Sequence, residues 1–439
     1  MGTRIAPEDL TWLLMDEPHN LMNVNGLIGF DELPDVGALA EVVMERMVRK
    51  YRVLSQVAVQ RDGAWMWEDD VDFAIDHHVR RVVLDDGSIE AVRSYVSSQL
   101  SVPFDRARPL WEIQIVTGPD GGRANGYIYH RFHHGIGDGI RLVQMLLALC
   151  DPAEGATPEP VGRNATGEHH HALGRALHAV EHAVTDNEFV NSWREIGRML
   201  LSDGHDAEAW SGHAGVDKSV AWVEGVPLDG LRGAARAHGV TLNDVLLAAV
   251  SLALTDYLAE RRISEVTDLS WMMPVSLQPI DAALPDRLGN HFVVVMLSMP
   301  LGISEPGALI NEIHRRTTRL KHSAEPMIAS GFQRAVAESP AAVARRITRF
   351  FTGKTIGQLT NVPGPRVAMT LAGAPVRSIL GWVPTSGDQP LGVSLFSYDD
   401  TLSVGVATDS RMIPDPVHFV ELIQQHLAGL AQTAHEGAE

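Results

Sequence analysis

The chain has 439 residues, of which 45% are hydrophobic and 21% charged, so it has globular composition and is long enough for two domains. Its 36 basic and 55 acidic residues give a formal net charge of −19. Such an acidic protein is not expected to bind nucleic acid broadly or to attach electrostatically to anionic lipid. Any contact with a membrane or a lipid droplet would therefore be apolar and local.

Targeting signals and cysteine content indicate the cellular compartment in which the protein acts. Glu8 and Asp9 interrupt the segment where a signal peptide needs an apolar core. The longest apolar run, residues 245–254, is about half of the ~20 residues that a membrane-spanning helix requires. Cys150 is the only cysteine, which excludes an intramolecular disulfide, and we interpret it as a core residue rather than a nucleophile. We expect a cytoplasmic protein, soluble or peripheral to the inner membrane or to lipid droplets.

Strand and helix signals alternate through the first 150 residues. Residues 25–35 predict a strand that runs into a turn, and residues 36–51 have the period of a helix. Apolar and polar residues alternate in 109–118 and 125–134, as in half-buried strands, and helical spacing returns at 139–151. The stretch from 133 to 140 is therefore predicted to join a strand to a helix, where backbone N–H groups are exposed.

The second half repeats this mixture after a change in composition. Residues 151–217 are rich in Pro, Gly, His and Ala and predict a crossover linker that contains a helix at 172–202. A strongly periodic helix is predicted within 239–262. Further strand signals lie at 218–225, 268–277, 290–300, 355–364 and 395–409. We predict an α/β (α+β) fold with an N-terminal subdomain (1–150), the linker (151–217) and a C-terminal subdomain (218–439).

Three motifs carry little functional weight. "GKT" at 353–355 is not a phosphate loop, because Thr348 stands where the first glycine should be. "HAVEH" at 178–182 matches a zinc-protease pattern, but it lies in a polar connector without a clear third ligand. We favour a solvated helix face there and keep a zinc hydrolase as the outside alternative. His77 and His78 precede "VRR" and are interpreted as structural.

The stretch "HHGIGDGI" is the strongest candidate for chemistry. Adjacent side chains of a strand point to opposite faces, so His133 and His134 cannot both serve one reaction centre without a break in the strand. Gly135 and Gly137 are expected to permit that break, because glycine accepts unusual backbone angles. An imidazole, with a pKa of about 6.5, is a usable general base near neutral pH. The alternative is a tight turn with buried, hydrogen-bonded histidines.

Residues 133–139 read H-H-x-x-x-D-G and resemble the active-site motif of the CoA-dependent acyltransferase superfamily, which includes chloramphenicol acetyltransferase and peptide-synthetase condensation domains. Companion stretches stand in the order of the bacterial wax ester synthase/diacylglycerol acyltransferase family, and the similarity runs from about residue 10 to residue 410. The stretches are LMNVNGLIGF (21–30), PLWE (109–112), LNDVLLA (242–248), MPVSL (273–277), LGNHF (288–292), TNVPGP (360–365) and LFSYDDTL (395–402).

The resemblance implies two chloramphenicol-acetyltransferase-like subdomains, each a mixed sheet flanked by helices, with a tunnel between them. It implies a long-chain acyl-CoA donor and an acceptor that is diacylglycerol or a fatty alcohol, giving triacylglycerol or wax ester. His134 would be the general base for direct attack of the hydroxyl on the thioester. No permanently bound cofactor, metal or nucleic-acid partner is expected.

The resemblance also assigns supporting roles. His133 would support His134, Asp138 would shape the loop through an unassigned arginine, and Gly139 would let the helix start. Asn243 and Asp244, from the other half, would hold the catalytic interface or help polarise the carbonyl.

Other positions are less sharply assigned. Asn290 and Thr360 are candidate oxyanion donors, and Thr360 and Asn361 are also candidates for substrate binding. Trp111, with Pro109 and Leu110, would lie near the substrate or simply in the core.

The chain departs from the family at three points. Gly135 and Gly137 replace a commoner alanine or serine and a larger apolar residue, which would loosen the loop. Gln278 replaces a common arginine, and Thr360 replaces a commoner serine. Two alternatives stay open: an acyltransferase of polyketide or glycolipid type that uses another alcohol, and a non-catalytic acyl-CoA- or lipid-binding paralogue. The apolar run 245–254 and the apolar N-terminal segment could line a lipid channel or face lipid.

Overall fold

Two large sheets with helices packed on them, and one three-stranded sheet, make up the part of the chain that the structure describes. The computed structural model describes residues 2–119, 124–156, 212–263, 266–276, 284, 286–290, 292–321, 350 and 352–436. The strands are β1 (Thr3–Arg4), β2 (Asn23–Glu32), β3 (Gln56–Arg61), β4 (Ala64–Asp69), β5 (Val79–Val83), β6 (Trp111–Thr117), β7 (Ala124–His133), β8 (Cys150–Pro152), β9 (Lys218–Pro227), β10 (Asp268–Ser276), β11 (Phe292–Pro300), β12 (Gly357–Pro363), β13 (Met369–Leu371), β14 (Ala374–Trp382), β15 (Leu391–Tyr398) and β16 (Thr401–Asp409). The helices are α1 (Pro7–Met15), α2 (Val36–Val43), α3 (Ile89–Leu100), α4 (Gly139–Leu147), α5 (Asp229–His238), α6 (Leu242–Glu260), α7 (Pro306–Lys321) and α8 (Pro416–Glu436).

The first sheet has seven strands in the order β5-β6-β7-β2-β14-β13-β8. At its centre β2 and β7 pair antiparallel, which places Asn23 opposite His133. Side chains alternate along β2, so Ile28 and Phe30 enter one core while Leu27 enters another on the opposite face. The end of β7 that carries the histidine pair is therefore fixed in register from both neighbouring strands.

The second sheet has six strands in the order β11-β10-β12-β15-β16-β9. Helix α6 lies in the core beside this sheet, with Val245, Leu247 and Ala248 among its fully buried residues. It is also the one helix in the described part of the chain that is long and apolar enough to cross a membrane, and 72% of its apolar window is buried. This apolar run thus forms core, and the apolar N-terminal segment is the central strand β2; the expectation that they face lipid is not supported.

The chain crosses between the sheets late in the sequence. Strand β14 pairs with β2 in the first sheet, whereas β15, which begins at Leu391, pairs with β12 in the second. The predicted C-terminal subdomain 218–439 therefore needs correction, because residues 369–382 complete the N-terminal sheet. Pairing between strands distant in sequence leaves no local signal from which a boundary could be read.

The contact between the two sheets is apolar with polar anchors. Leu27 and Tyr129 of the first sheet pack with Trp222 and Ala407 of the second. The Tyr127 hydroxyl donates to Glu224 Oε1 at 2.6 Å. These contacts hold β9 and β16 of the second sheet against the face of the first.

One predicted element divides in two. The signal at 395–409 is a hairpin, in which β15 and β16 are joined at Asp399 and Asp400, with φ of 44° and 58°. Aspartate tolerates this left-handed region, so "DD" was the turn signal. The linker helix predicted at 172–202 lies outside the described residues.

Candidate active site

The strand-to-helix loop after β7 is closed by its aspartate. Asp138 is the N-cap of α4, and its Oδ1 accepts the backbone N–H of Arg141 at 2.8 Å. The backbone N–H of Asp138 donates to Gly289 O at 3.2 Å. Asp138 therefore shapes the loop as a helix cap that bonds the backbone of residue 141, and Gly139 is the first helical residue. The brace by an arginine side chain stays a prediction.

The glycines of the loop do not have the expected backbone role. Neither Gly135 nor Gly137 lies in the left-handed region that favours glycine. Glycine is required at position 135 because there is no room for a side chain, since a Cβ there would lie 2.7 Å from Leu13 Cγ. At Gly137 a Cβ would make only ordinary contacts, 3.5 Å from Gly289 N. The break in the strand therefore arises without unusual angles at these two positions, and close packing of α1 explains Gly135.

His134 is held by contacts on several sides. Its backbone N–H donates to Met22 O at 2.7 Å. Its Nδ1 lies 2.8 Å from Asn290 Oδ1, and the indole of Trp12 stacks on the ring at 4.0 Å between centroids. Phe292 lies 5.6 Å from the ring on a tilted plane. The imidazole therefore has a fixed plane and a fixed partner.

The partner determines which nitrogen carries the proton. Asn290 Nδ2 donates to the carbonyl of His134 and to Asp9 Oδ1, both at 2.9 Å, so Asn290 Oδ1 is turned toward the ring. An oxygen acceptor at Nδ1 requires the Nδ1–H tautomer, which leaves Nε2 with its lone pair. Nε2 makes no hydrogen bond with any residue that the structure describes, so its lone pair is not engaged there. It is thus available to accept a proton.

Burial keeps this base neutral. His134 is only 7% exposed, and burial lowers the pKa of its imidazole to about 4. The hydrogen bond to Asn290 acts in the opposite direction but does not compensate. At neutral pH the ring is therefore unprotonated and ready to act as a general base.

His133 faces away from this centre. Its ring is fully buried, with Nε2 at 3.1 Å from Asp16 Oδ2 and Nδ1 accepting the N–H of Gly135 at 2.9 Å. Asp16 also accepts from Arg106 at 2.6 Å and from Met22 N at 2.7 Å. Burial lowers the pKa of His133 despite the neighbouring carboxylate. The two rings therefore have different surroundings, since His134 lies against Trp12 and Asn290 while His133 bonds Asp16. That one of the two histidines faces a cavity stays a prediction.

Helix α1 supplies residues that the sequence analysis missed. Asp9, Trp12 and Leu13 lie on one face of α1, and Asp16 is its C-cap. They contact, in that order, Asn290, the His134 ring, the Gly135 position and His133. The spacing of residues 9, 12 and 13 is the signal for this contact face in the sequence.

Asp244 is a structural residue of the second half. With Thr241 it forms the capping box at the start of α6, and its other bonds are to His314 Nδ1 at 2.8 Å and Thr317 Oγ1 at 2.7 Å. All three partners belong to the second half, so the expectation that Asp244 polarises the carbonyl or holds the interface is not supported. Burial raises the pKa of Asp244, yet these hydrogen bonds leave it below its usual value.

Its neighbour Asn243 belongs to a pair with Asn361. Asn361 Nδ2 donates to Asn243 Oδ1 at 3.0 Å, which joins α6 to β12. Side chains alternate along β12, so Thr360 lies on the opposite face, together with Val362, which packs in the core that includes Ile136 of the histidine loop. Thr360 is thus on the face of β12 turned toward the histidine loop, while Asn361 is on the face turned toward α6 and its core.

Two other assignments are corrected. Asn290 does not serve as an oxyanion donor here, because both N–H bonds of its amide are already used. Trp111 is 0% exposed, donates to Leu54 O at 2.8 Å and lies in the N-terminal core, so it is scaffold rather than a substrate contact. Leu110 is also buried, and its carbonyl accepts the His133 N–H at 2.9 Å.

Other candidate groups do not add to this site. Burial raises the pKa of the Cys150 thiol to about 12, which supports its interpretation as core. Within the described ranges no cluster of His, Cys, Asp and Glu could hold a metal ion. Gln278 and "HAVEH" (178–182) lie outside the described residues.

Comparisons with known proteins agree with this geometry. The wax ester synthase/diacylglycerol acyltransferase catalytic domain matches residues 5–202, and the C-terminal domain of the same family matches 288–431. The O-acyltransferase WSD of Acinetobacter baylyi is 24% identical, and the alignment covers 96% of each chain. A Mycobacterium tuberculosis relative, whose name as a diacylglycerol O-acyltransferase is provisional, is 29% identical over 79% of this chain and 78% of its own.

Solved structures show the same fold. The wax ester synthase/diacylglycerol acyltransferase from Marinobacter aquaeolei VT8 is 21% identical, with a TM-score of 0.70 over 99% of this chain and all of that one. The first condensation domain of the calcium-dependent antibiotic synthetase is 14% identical, with a TM-score of 0.64 over 99% and 96%. The catalytic-domain match, which contains the His134 loop, is followed by the C-terminal-domain match. Together they show that the chain belongs to the wax ester synthase/diacylglycerol acyltransferase family.

Proposed function

We propose that this protein transfers a long-chain acyl group from acyl-CoA to the hydroxyl of diacylglycerol or a fatty alcohol, with His134 as the general base. The observation that carries the proposal is the geometry of the His134 ring, which is held through Nδ1 by Asn290 and makes no hydrogen bond at Nε2 with the described residues, while burial keeps it neutral. Family membership supports the reaction class. A condensation-domain structure described as a complex with C8-CoA supports a CoA thioester as donor for this fold.

The reaction requires one proton acceptor and no covalent enzyme intermediate. His134 Nε2 takes the proton of the acceptor hydroxyl while the oxygen forms a bond to the thioester carbonyl carbon. The tetrahedral intermediate collapses by breaking the C–S bond, and the imidazolium returns its proton to the leaving thiolate. The ester and free CoA–SH are the products, so protons and electron pairs balance.

Acyl transfer can be tested with purified protein, palmitoyl-CoA and either acceptor, by following free thiol and ester together. We expect His134→Ala to lower ester formation by ~10²–10⁴-fold, the usual contribution of a general base. His77→Ala is the matched control, because His77 is an exposed histidine far from the loop in sequence. Equal ester formation by the wild type and His134→Ala would refute the role of His134.

The same assay separates the open alternatives. Ester formation with other alcohols but with neither lipid acceptor would indicate an acyltransferase of polyketide or glycolipid type. Binding of palmitoyl-CoA without thiol release above the His134→Ala level would indicate a non-catalytic paralogue.

We also propose that the protein acts in the cytoplasm and reaches its lipid substrates as a peripheral protein. The net charge of −19 disfavours electrostatic attachment to anionic lipid, so the contact would be apolar. Flotation with triolein droplets in low and high salt tests this. Binding that salt leaves unchanged supports the proposal, and absence of binding contradicts it.

A further inference from the structure

Asp9 is a buried carboxylate that no step of the proposed reaction uses. It lies in the first turn of α1 and is only 6% exposed. Its Oδ1 accepts two hydrogen bonds from one residue, the backbone N–H of Asn290 at 3.1 Å and the side-chain Nδ2 at 2.9 Å. A carboxylate is costly to bury, so this position calls for a physical explanation.

The contacts of Asn290 connect Asp9 to the reacting ring. The amide of Asn290 can adopt two orientations that differ by exchange of oxygen and nitrogen. In the observed one, Nδ2 faces Asp9 Oδ1 and His134 O, and Oδ1 faces His134 Nδ1. The exchanged orientation would turn an N–H toward Nδ1 and thereby favour the Nε2–H tautomer, which has no lone pair for the substrate proton.

We infer that Asp9 is a positioning residue, which clamps Asn290 in the orientation that keeps His134 Nε2 unprotonated. Its two hydrogen bonds fix both the backbone and the side chain of Asn290, whereas the His134 carbonyl fixes only the side chain. Asp9 thus acts on His134 through Asn290 and touches no reacting atom. The inference deepens the proposed function, because it says what sustains the general base.

Three variants separate hydrogen bonding from packing and charge. Asp9→Leu keeps the branching at Cγ but replaces both oxygens by larger methyl groups and so removes the acceptor. Asp9→Asn keeps the volume and one acceptor oxygen, and Glu8→Leu removes the exposed neighbouring carboxylate. We expect Asp9→Leu to lower kcat about 10-fold with KM for palmitoyl-CoA within about twofold, since only the base is affected. Asp9→Asn and Glu8→Leu should stay within about twofold of the wild type. Equal kcat in Asp9→Leu and the wild type would refute the inference.

The tautomer can be read without activity. In ¹⁵N-histidine-labelled protein, with His134→Ala used to assign the resonance, we expect an Nδ1–H tautomer at His134 in the wild type and in Asp9→Asn. Asp9→Leu should show an increased share of Nε2–H. A wild-type His134 that is mainly Nε2–H would overturn the inference, even if Asp9→Leu did not fold. Because this measurement needs no turnover, it stands or falls separately from the acyltransferase proposal.

Discussion

At the scale of single residues, the histidine loop illustrates how packing decides which substitutions a motif accepts. Gly135 lies against Leu13 of α1, while Gly137 faces the backbone of Gly289 at an ordinary distance. Neither glycine has a positive φ, so the two positions differ in the space that is available for an added methyl group. They therefore form a matched pair for testing how closely α1 is packed on the loop.

We predict opposite effects for alanine at these two positions. Gly135→Ala should lower the free energy of unfolding by about 1–3 kcal/mol, because the added methyl group overlaps Leu13 and disturbs the loop. Gly137→Ala should leave stability unchanged or raise it by about 0.4–1 kcal/mol, because it restricts the unfolded chain only. Urea denaturation of both variants checks the pair, and equal destabilisation would contradict the packing argument.

At the scale of secondary-structure elements, α1 and α6 have different tasks. One face of α1 contacts His134 and the residue that holds it, and the C-cap Asp16 contacts His133, so this helix and its cap organise the reaction centre. The start of α6 instead joins helices within the second half through Asp244, Thr241, His314 and Thr317. A sequence motif at a helix start can thus be structural even within a catalytic family.

The capping box of α6 gives a prediction for stability. Asp244→Ala should lower the free energy of unfolding by about 2–4 kcal/mol, because it leaves the buried Thr317 hydroxyl and the partly buried donors of Thr241 and His314 without their acceptor. Thr241→Ala should cost only about 1 kcal/mol, the usual effect of losing an N-cap side chain. Urea denaturation gives both values. If Asp244→Ala were as stable as the wild type but inactive, Asp244 would have a direct catalytic role and this interpretation would be wrong.

At the scale of the whole molecule, burying histidines links stability to pH. Burial lowers the pKa of His130 to about 3 and of His134 to about 4. The unfolded chain, with an ordinary pKa of about 6.5, then binds more protons than the folded chain in this window. Each such histidine contributes stability that is present above the unfolded pKa and is lost as the pH falls toward the folded pKa.

The contribution of His134 can be isolated by its removal. Between pH 7 and pH 5 the wild type should lose about 2 kcal/mol more unfolding free energy than His134→Asn, as the linkage relation gives for this shift. Urea denaturation at both pH values measures the difference, and His77→Asn, an exposed histidine, serves as control. An identical pH dependence in the wild type and His134→Asn would show that His134 is not buried as a neutral ring.

The sequence by itself determined the fold class and the position of the strand-to-helix loop. These follow from local periodicity and from a motif whose chemistry needs contiguous residues. The single strand signal at residues 395–409 is wrong, because two aspartates in left-handed conformation turn the chain there into a hairpin.

Only the tertiary structure decided the rest. It placed β14 in the first sheet, brought Asn290 to His134 and set Asp9 behind Asn290. It also showed that Trp111 and Asp244, two candidate site residues, have structural roles. Such contacts join residues far apart in the chain, and whether a polar side chain meets a substrate or another protein group depends on packing that no local pattern records.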